Sequence, residues 1–192
     1  MAKTSKKIGS VAAVILGCIG AGFLVYYGIA EFINFISGFK LSKGIFQYFF
    51  GPELMCLAVL TLGITFFVTI IKDLSYIRKG VTVFSLAVAA IVFFCYGVIV
   101  FNSFPPSFST SFWENILMLV LLIGYVTYFI YNLGTKKISG FAWVMCFIGV
   151  SGLFIVNCVQ LYMQQISTGT FIHDVFSALA HYALFYCGLK KY

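Results

Sequence analysis

Charge is scarce in this chain. Of its 192 residues only 9% are charged, with five acids and two histidines beside twelve basic residues, whereas 62% are hydrophobic. A soluble domain carries roughly a quarter charged residues, so this composition cannot cover a folded body with a wetted surface. No stretch longer than about twenty residues separates one apolar run from the next, which leaves no room for a separate soluble domain. Cysteine pairs are lacking too. Cys18, Cys56, Cys95, Cys146, Cys158 and Cys187 all fall inside apolar runs, with no C-x-x-C and no metal-ligand spacing, so they read as small apolar core residues. The two histidines, His173 and His181, lie about 12 Å apart along one helix, too far to share an ion. No metal, haem or other cofactor is expected. Nor is a nucleic-acid partner, because the basic residues behind the net charge of +7 are scattered in small clusters beside apolar runs, which is a topology signal.

Long apolar runs are abundant. Eighteen or more apolar residues suffice to cross about 30 Å of hydrocarbon, and such runs recur along the chain. They predict an all-α polytopic bundle, one transmembrane domain over 1–192, with the lipid bilayer as its solvent. Six spans are expected, at about 8–30, 52–71, 81–101, 112–133, 138–161 and 171–189. The stretch 32–50, interrupted by Gly38, Lys40, Lys43 and Gly44, reads as interfacial or re-entrant. Lys3, Lys6 and Lys7 precede the first run as they would in a signal peptide, but that run is long and lacks an Ala-x-Ala site, so a retained first helix is expected. Pro52 suits the first helical position of the second span. Ser111-Phe-Trp-Glu114 reads as a capping box opening the fourth.

Ten of the twelve basic residues fall on the side of the N-terminus under this six-span count, and only Lys40 and Lys43 fall opposite. The positive-inside rule then puts both termini in the cytoplasm. Eleven lysines against one arginine fit an AT-rich genome, and a bacterial plasma membrane is the expected location. Basic pairs precede the odd helices and acids open the even ones, with Gly63 and Gly124 each ten residues after an acid. Three similar hairpins would produce that pattern, as would ordinary topology and capping rules.

Three constellations could carry function. Gly9, Ala13, Gly17 and Ala21 recur every four residues on helix one, making a stripe where another helix can approach closely. Its partner would be another span of this chain, a separate membrane subunit or a second copy. A similar stripe of Thr61, Thr65 and Thr69 reads as packing. Asn157, Gln160 and Gln164 share one face near the end of helix five, and Asp174, Ser177 and His181 share one face of helix six. Ionisable residues within a span are costly and usually face the bundle interior or a water-filled cavity, which makes His181 the strongest candidate. Asp174 also has the helix N-terminus to explain it. About 10 Å of helical rise separates Asp174 from His181, so these residues are not a catalytic triad, although a relay through Ser177 or water is open to them.

Gly149-Val150-Ser151-Gly152 resembles the G-x-S-G motif of rhomboid intramembrane proteases, which implies a catalytic pair of Ser151 and His181. The serine stands on helix five here instead of helix four, so its helix runs antiparallel to that of the histidine. In size and span count, and in the small-residue stripe on helix one, the chain is also similar to the substrate-binding subunits of energy-coupling-factor vitamin transporters. The leading expectation is therefore solute or ion transport, alone or as a membrane subunit, using Asn157, Gln160, Gln164, Asp174, Ser177 and His181. Two alternatives stand beside it: a non-catalytic assembly subunit docking through Gly9, Ala13, Gly17 and Ala21, and an intramembrane serine hydrolase. An enzyme is the less favoured class.

Orientation is testable by reporter fusion. A reporter that is active only in the cytoplasm should work at the C-terminus and at 135–137, and fail at 41–44 and 106–108. Activity at 41–44 and silence at the C-terminus would invert the topology.

Overall fold

The computed structural model describes residues 2–37, 55–70, 76–103, 109–134 and 140–191, with side chains from residue 11 to residue 188. Six helices account for 94% of the described residues, and no strand occurs among them. The helices are α1 (Ala2–Ser37), α2 (Met55–Ile70), α3 (Arg78–Asn102), α4 (Thr110–Gly134), α5 (Gly140–Tyr162) and α6 (Thr168–Lys191). Four of them, α1, α3, α4 and α5, are long and apolar enough to cross a membrane. α2 is apolar but only 16 residues long, and α6 is diluted by Thr168, Thr170, His173, Asp174, Ser177 and His181. The chain is an all-helical integral membrane bundle.

Each helix runs antiparallel to the next and packs on it, and α6 closes back on α1, so the six form a ring in chain order. Small residues set the tightest seams. A Cβ on Gly63 would stand 2.9 Å from the Ala21 carbonyl oxygen on α1, and one on Gly149 would stand 2.9 Å from Leu121 Cα on α4. On α1, Gly17 meets Cys187 and Phe66, Gly20 meets the Ala180 carbonyl, and Gly28 meets Cys56 and Leu60. Ala13 and Ala21 are fully buried. Of the partners open to this stripe, another span of the same chain is the one observed: α2 and α6 pack on α1 there, because only side chains this small admit both neighbours. Gly9 lies outside the described side chains. The glycines of G-x-S-G have the same role, since Leu121 and Leu117 of α4 fill the spaces over Gly149 and Gly152.

A polar seam joins α2, α3 and α4 in the half of the bundle near the chain ends. Thr65 Oγ1 and Ser85 Oγ lie 2.7 Å apart, and the Asn132 amide donates to Thr69 Oγ1 at 3.1 Å and Thr82 Oγ1 at 3.2 Å. The threonine stripe therefore packs, as its spacing predicts, but through hydroxyls on a neighbouring helix as well as its own.

Several boundaries move. α1 continues to Ser37, so the first six residues of the expected interfacial segment are helical and Glu31 lies within a helix; 38–50 and Pro52 lie outside the described residues. At 36 residues α1 is about 54 Å long, more than a bilayer core requires. α4 is capped by Ser109, whose Oγ accepts from the Phe112 amide at 3.3 Å. Ser111 is therefore not the cap, and Glu114 lies a full turn inside the helix. Ser167 caps α6 in the same manner, accepting from the Thr170 amide at 3.1 Å, which puts Asp174 nearly two turns in. Gly63 and Gly124 face unlike neighbours, Gly63 its preceding helix α1 and Gly124 its following helix α5. That asymmetry argues against three equivalent hairpins.

Gly63→Leu and Gly149→Leu should each destabilise the bundle by about 1–3 kcal/mol through overpacking. Gly97→Leu should be tolerated, since nothing stands within 4 Å of a Cβ there. Thermal unfolding in detergent, followed by tryptophan fluorescence, reads the difference.

Candidate functional site

The ring encloses a cavity of roughly 340 Å³ at the end of the bundle opposite the chain ends, and every helix contributes to its wall. α1 supplies Tyr27 and Glu31 from its C-terminal half; α2 supplies Met55, Cys56 and Val59 from its first turns; α3 supplies Tyr96. Glu114, Met118 and Leu121 come from α4, with Asn157 and Gln160 from α5 and Asp174, Ser177 and His181 from α6. Because the helices alternate in direction, the late residues of odd helices and the early residues of even ones converge at one depth. That alternation brings residues remote in sequence together there.

Two amide–carboxyl pairs cross the cavity wall. Asn157 Nδ2 donates to Asp174 Oδ2 at 3.1 Å, joining α5 to α6, and Gln160 Nε2 donates to Glu114 Oε2 at 3.0 Å, joining α5 to α4. Neither acid lies in the first turn of its helix. The field of a helix terminus fades within that turn, so the macrodipole does not account for either carboxyl. Among the described residues, Glu31 makes no hydrogen bond or ion pair, and no lysine or arginine lines the cavity.

His181 is 3% exposed and forms part of the cavity wall. Its Nδ1 lies 2.7 Å from the Ser177 carbonyl oxygen. A carbonyl can only accept, so Nδ1 carries the proton. Nε2 meets the Tyr125 hydroxyl, which is itself fully buried. No carboxyl among the described residues bonds the ring, and an uncompensated charge there would be costly. The imidazole is therefore neutral, with Tyr125 donating to Nε2. His173, one turn from the helix start, stacks on Tyr27 with ring centroids 4.5 Å apart.

Of the six residues expected to form a binding face, five line this cavity and Gln164 does not. Gln164 sits in the left-handed region at φ 57°, where it ends α5. The Gln165 amide bonds the Gln160 carbonyl at 2.8 Å and the Gln164 amide bonds the Leu161 carbonyl at 3.0 Å, the bond pair of a Schellman cap. Helical periodicity does not extend past Tyr162, so Gln164 leaves the face it would share with Gln160. The relay order is not formed either. Ser177 offers His181 its backbone oxygen, and Asp174 is tied to Asn157.

Ser151 and His181 do not pair. Ser151 Oγ lies 2.8 Å from the Tyr182 hydroxyl, and both nitrogens of His181 are engaged elsewhere. The serine-hydrolase arrangement that the motif implied is absent from the geometry.

No family model, curated protein or solved structure matches the chain.

Sequence reasoning missed Tyr27, Glu31, Tyr96, Glu114 and Tyr125. The signal for Glu31 and Glu114 was their rarity: acids this close to apolar runs usually face a cavity. Placing one at the end of a helix and the other in a cap hid that signal. The tyrosines leave no mark among twelve in the chain.

Tyr125→Phe should remove the donor to His181 Nε2 and lower stability by roughly 0.6–1.7 kcal/mol, the scale of hydrogen bonds between membrane helices. Tyr182→Phe breaks a less buried contact and should cost less. Melting midpoints of the two variants in one detergent make the comparison.

Proposed function

We propose that this protein binds a small solute in the cavity enclosed by its six helices, as a membrane transporter or as the solute-binding membrane subunit of a transport complex. The observation that carries this reading is the cavity itself. Membrane bundles normally fill their interiors, because polar groups facing hydrocarbon are costly, yet here all six helices turn side chains toward one space. Its volume lies at the small end of ligand pockets, about 300–1,000 Å³. Its lining combines apolar and aromatic faces with a few positioned polar groups, as solute sites do.

Location favours transport over a static role. The cavity lies at the end away from the termini, which the basic-residue bias puts on the extracytoplasmic side. A solute reaching it from outside would sit above the Tyr125–His181 pair and the close-packed half of the bundle. The amide–carboxyl pairs link α5 to α4 and α6, so engaging those carboxyls would bear directly on two seams of the ring. The α1 stripe is occupied internally and offers no support to a docking role.

Native mass spectrometry of protein purified gently from its own membrane tests the reading. A small molecule should accompany the wild-type chain and be depleted at least tenfold in Gln160→Ala combined with His181→Ala, with the variant still eluting as a single species. Absence of any bound solute, or equal retention by the variant, would overturn it.

A further inference from the structure

The amides and carboxyls of the cavity whose bonding can be traced each leave an oxygen over, and that bias selects a class of solute. Gln160 is 8% exposed. Its Nε2 must face Glu114, since a carboxylate oxygen accepts; its Oε1 is left with no partner among the described residues. Asn157 repeats the pattern beside Asp174. Among the described residues, Glu114 and Asp174 each use one oxygen for an amide, and Glu31 uses neither. His181 contributes no donor, because Nδ1 is spent on Ser177 and Nε2 accepts from Tyr125.

We propose that the solute is an organic cation with several N–H donors, a diamine or polyamine, held by Glu31, Glu114 and Asp174 and by the Gln160 carbonyl oxygen. This rests on the solute-binding reading above and narrows it. Three carboxyls with no lysine or arginine in the described lining attract a cation and repel an anion. The Gln160 oxygen faces the cavity with no donor among the described residues, which suits a solute bringing N–H groups better than one bringing only charge. A bare metal ion fits poorly: among the described residues no three His, Cys, Asp or Glu side chains stand close enough to hold one, and roughly 340 Å³ is far more than an ion fills. The remaining wall suits a carbon chain. Met55, Met118 and Phe154 give it apolar surface, and the Tyr27 and Tyr96 rings can face a cation.

Isothermal titration of the full chain in detergent with putrescine, spermidine, tetramethylammonium, calcium, citrate and glucose tests the inference. Putrescine or spermidine should bind saturably. Tetramethylammonium, which has no N–H, should bind at least tenfold more weakly. Asp174→Asn and Glu31→Gln should each weaken amine binding at least tenfold; Glu31→Gln breaks no hydrogen bond among the described residues, and an unchanged melting midpoint for that variant separates lost binding from lost fold. Calcium, citrate or glucose binding in place of the amines would overturn the inference, as would amine binding that both variants retain. If the amines fail while native mass spectrometry still finds a non-cationic solute lost from Gln160→Ala with His181→Ala, the cation inference falls and the solute-binding reading stands. If no solute is found by either method, both fall.

Discussion

Hydrocarbon offers a side-chain amide, hydroxyl or carboxyl no partner, so polar groups carried into this bundle bond either a carbonyl of their own helix, as Thr61 and Thr127 do, or a group across a helix seam. Near the chain ends that condition is met by Thr65 with Ser85 and by Asn132 with Thr69 and Thr82. These bonds link α2, α3 and α4 without any charge. Deeper in, Ser151 meets Tyr182 and His181 meets Tyr125. Among the described residues, carboxyls enter only at the far end, and their pairing is partial. There the amides of Asn157 and Gln160 satisfy one oxygen each of Asp174 and Glu114, and further oxygens face a cavity. The carboxyls among the described residues that line the cavity are thus gathered at one end of the bundle, away from the hydroxyl seam near the chain ends.

The ring depends equally on side chains that are nearly absent. Gly17, Gly20 and Gly28 bring α1 against α2 and α6, Gly63 brings α2 against α1, and Gly124 and Gly149 bring α4 against α5. Without a hydrophobic force between helices in lipid, close packing of this kind holds them together. The tight seams are α1–α2, α1–α6 and α4–α5, while α2–α3 and α5–α6 are slacker. The slack α5–α6 seam is also where Asn157 bridges to Asp174. Larger apolar residues such as Ile19, Phe84, Phe94 and Ile155 point outward, as expected where the surrounding medium is lipid.

The shared wall of the two polar stripes was legible because an apolar chain can place two such stripes on adjacent helices at low cost only by turning them toward each other or toward a shared cavity. Asn157, Gln160, Asp174, Ser177 and His181 share a wall as their spacing on α5 and α6 implied. Errors arose where a local rule offered a sufficient account. A serine three residues before Glu114 looked like its capping partner, but Ser109 starts the helix and releases the acid to the interior. Glu31 looked like a helix-end residue because the helix was ended too early. The G-x-S-G motif looked catalytic, but its glycines accommodate leucines of α4 and its serine bonds a tyrosine.

Composition and apolar run length determined by themselves that this is a helical membrane protein, since hydrocarbon thickness and the need to satisfy every backbone group leave few other structures open. The six helices among the described residues followed from the same constraint. Ring closure was decided only by tertiary structure, because a small residue marks a close approach without naming the helix that makes it. The cavity was decided there too: Tyr27 and Glu31 from α1, Tyr96 from α3 and Glu114 from α4 stand far apart in sequence and share a wall only because antiparallel helices bring opposite ends of their segments to one depth.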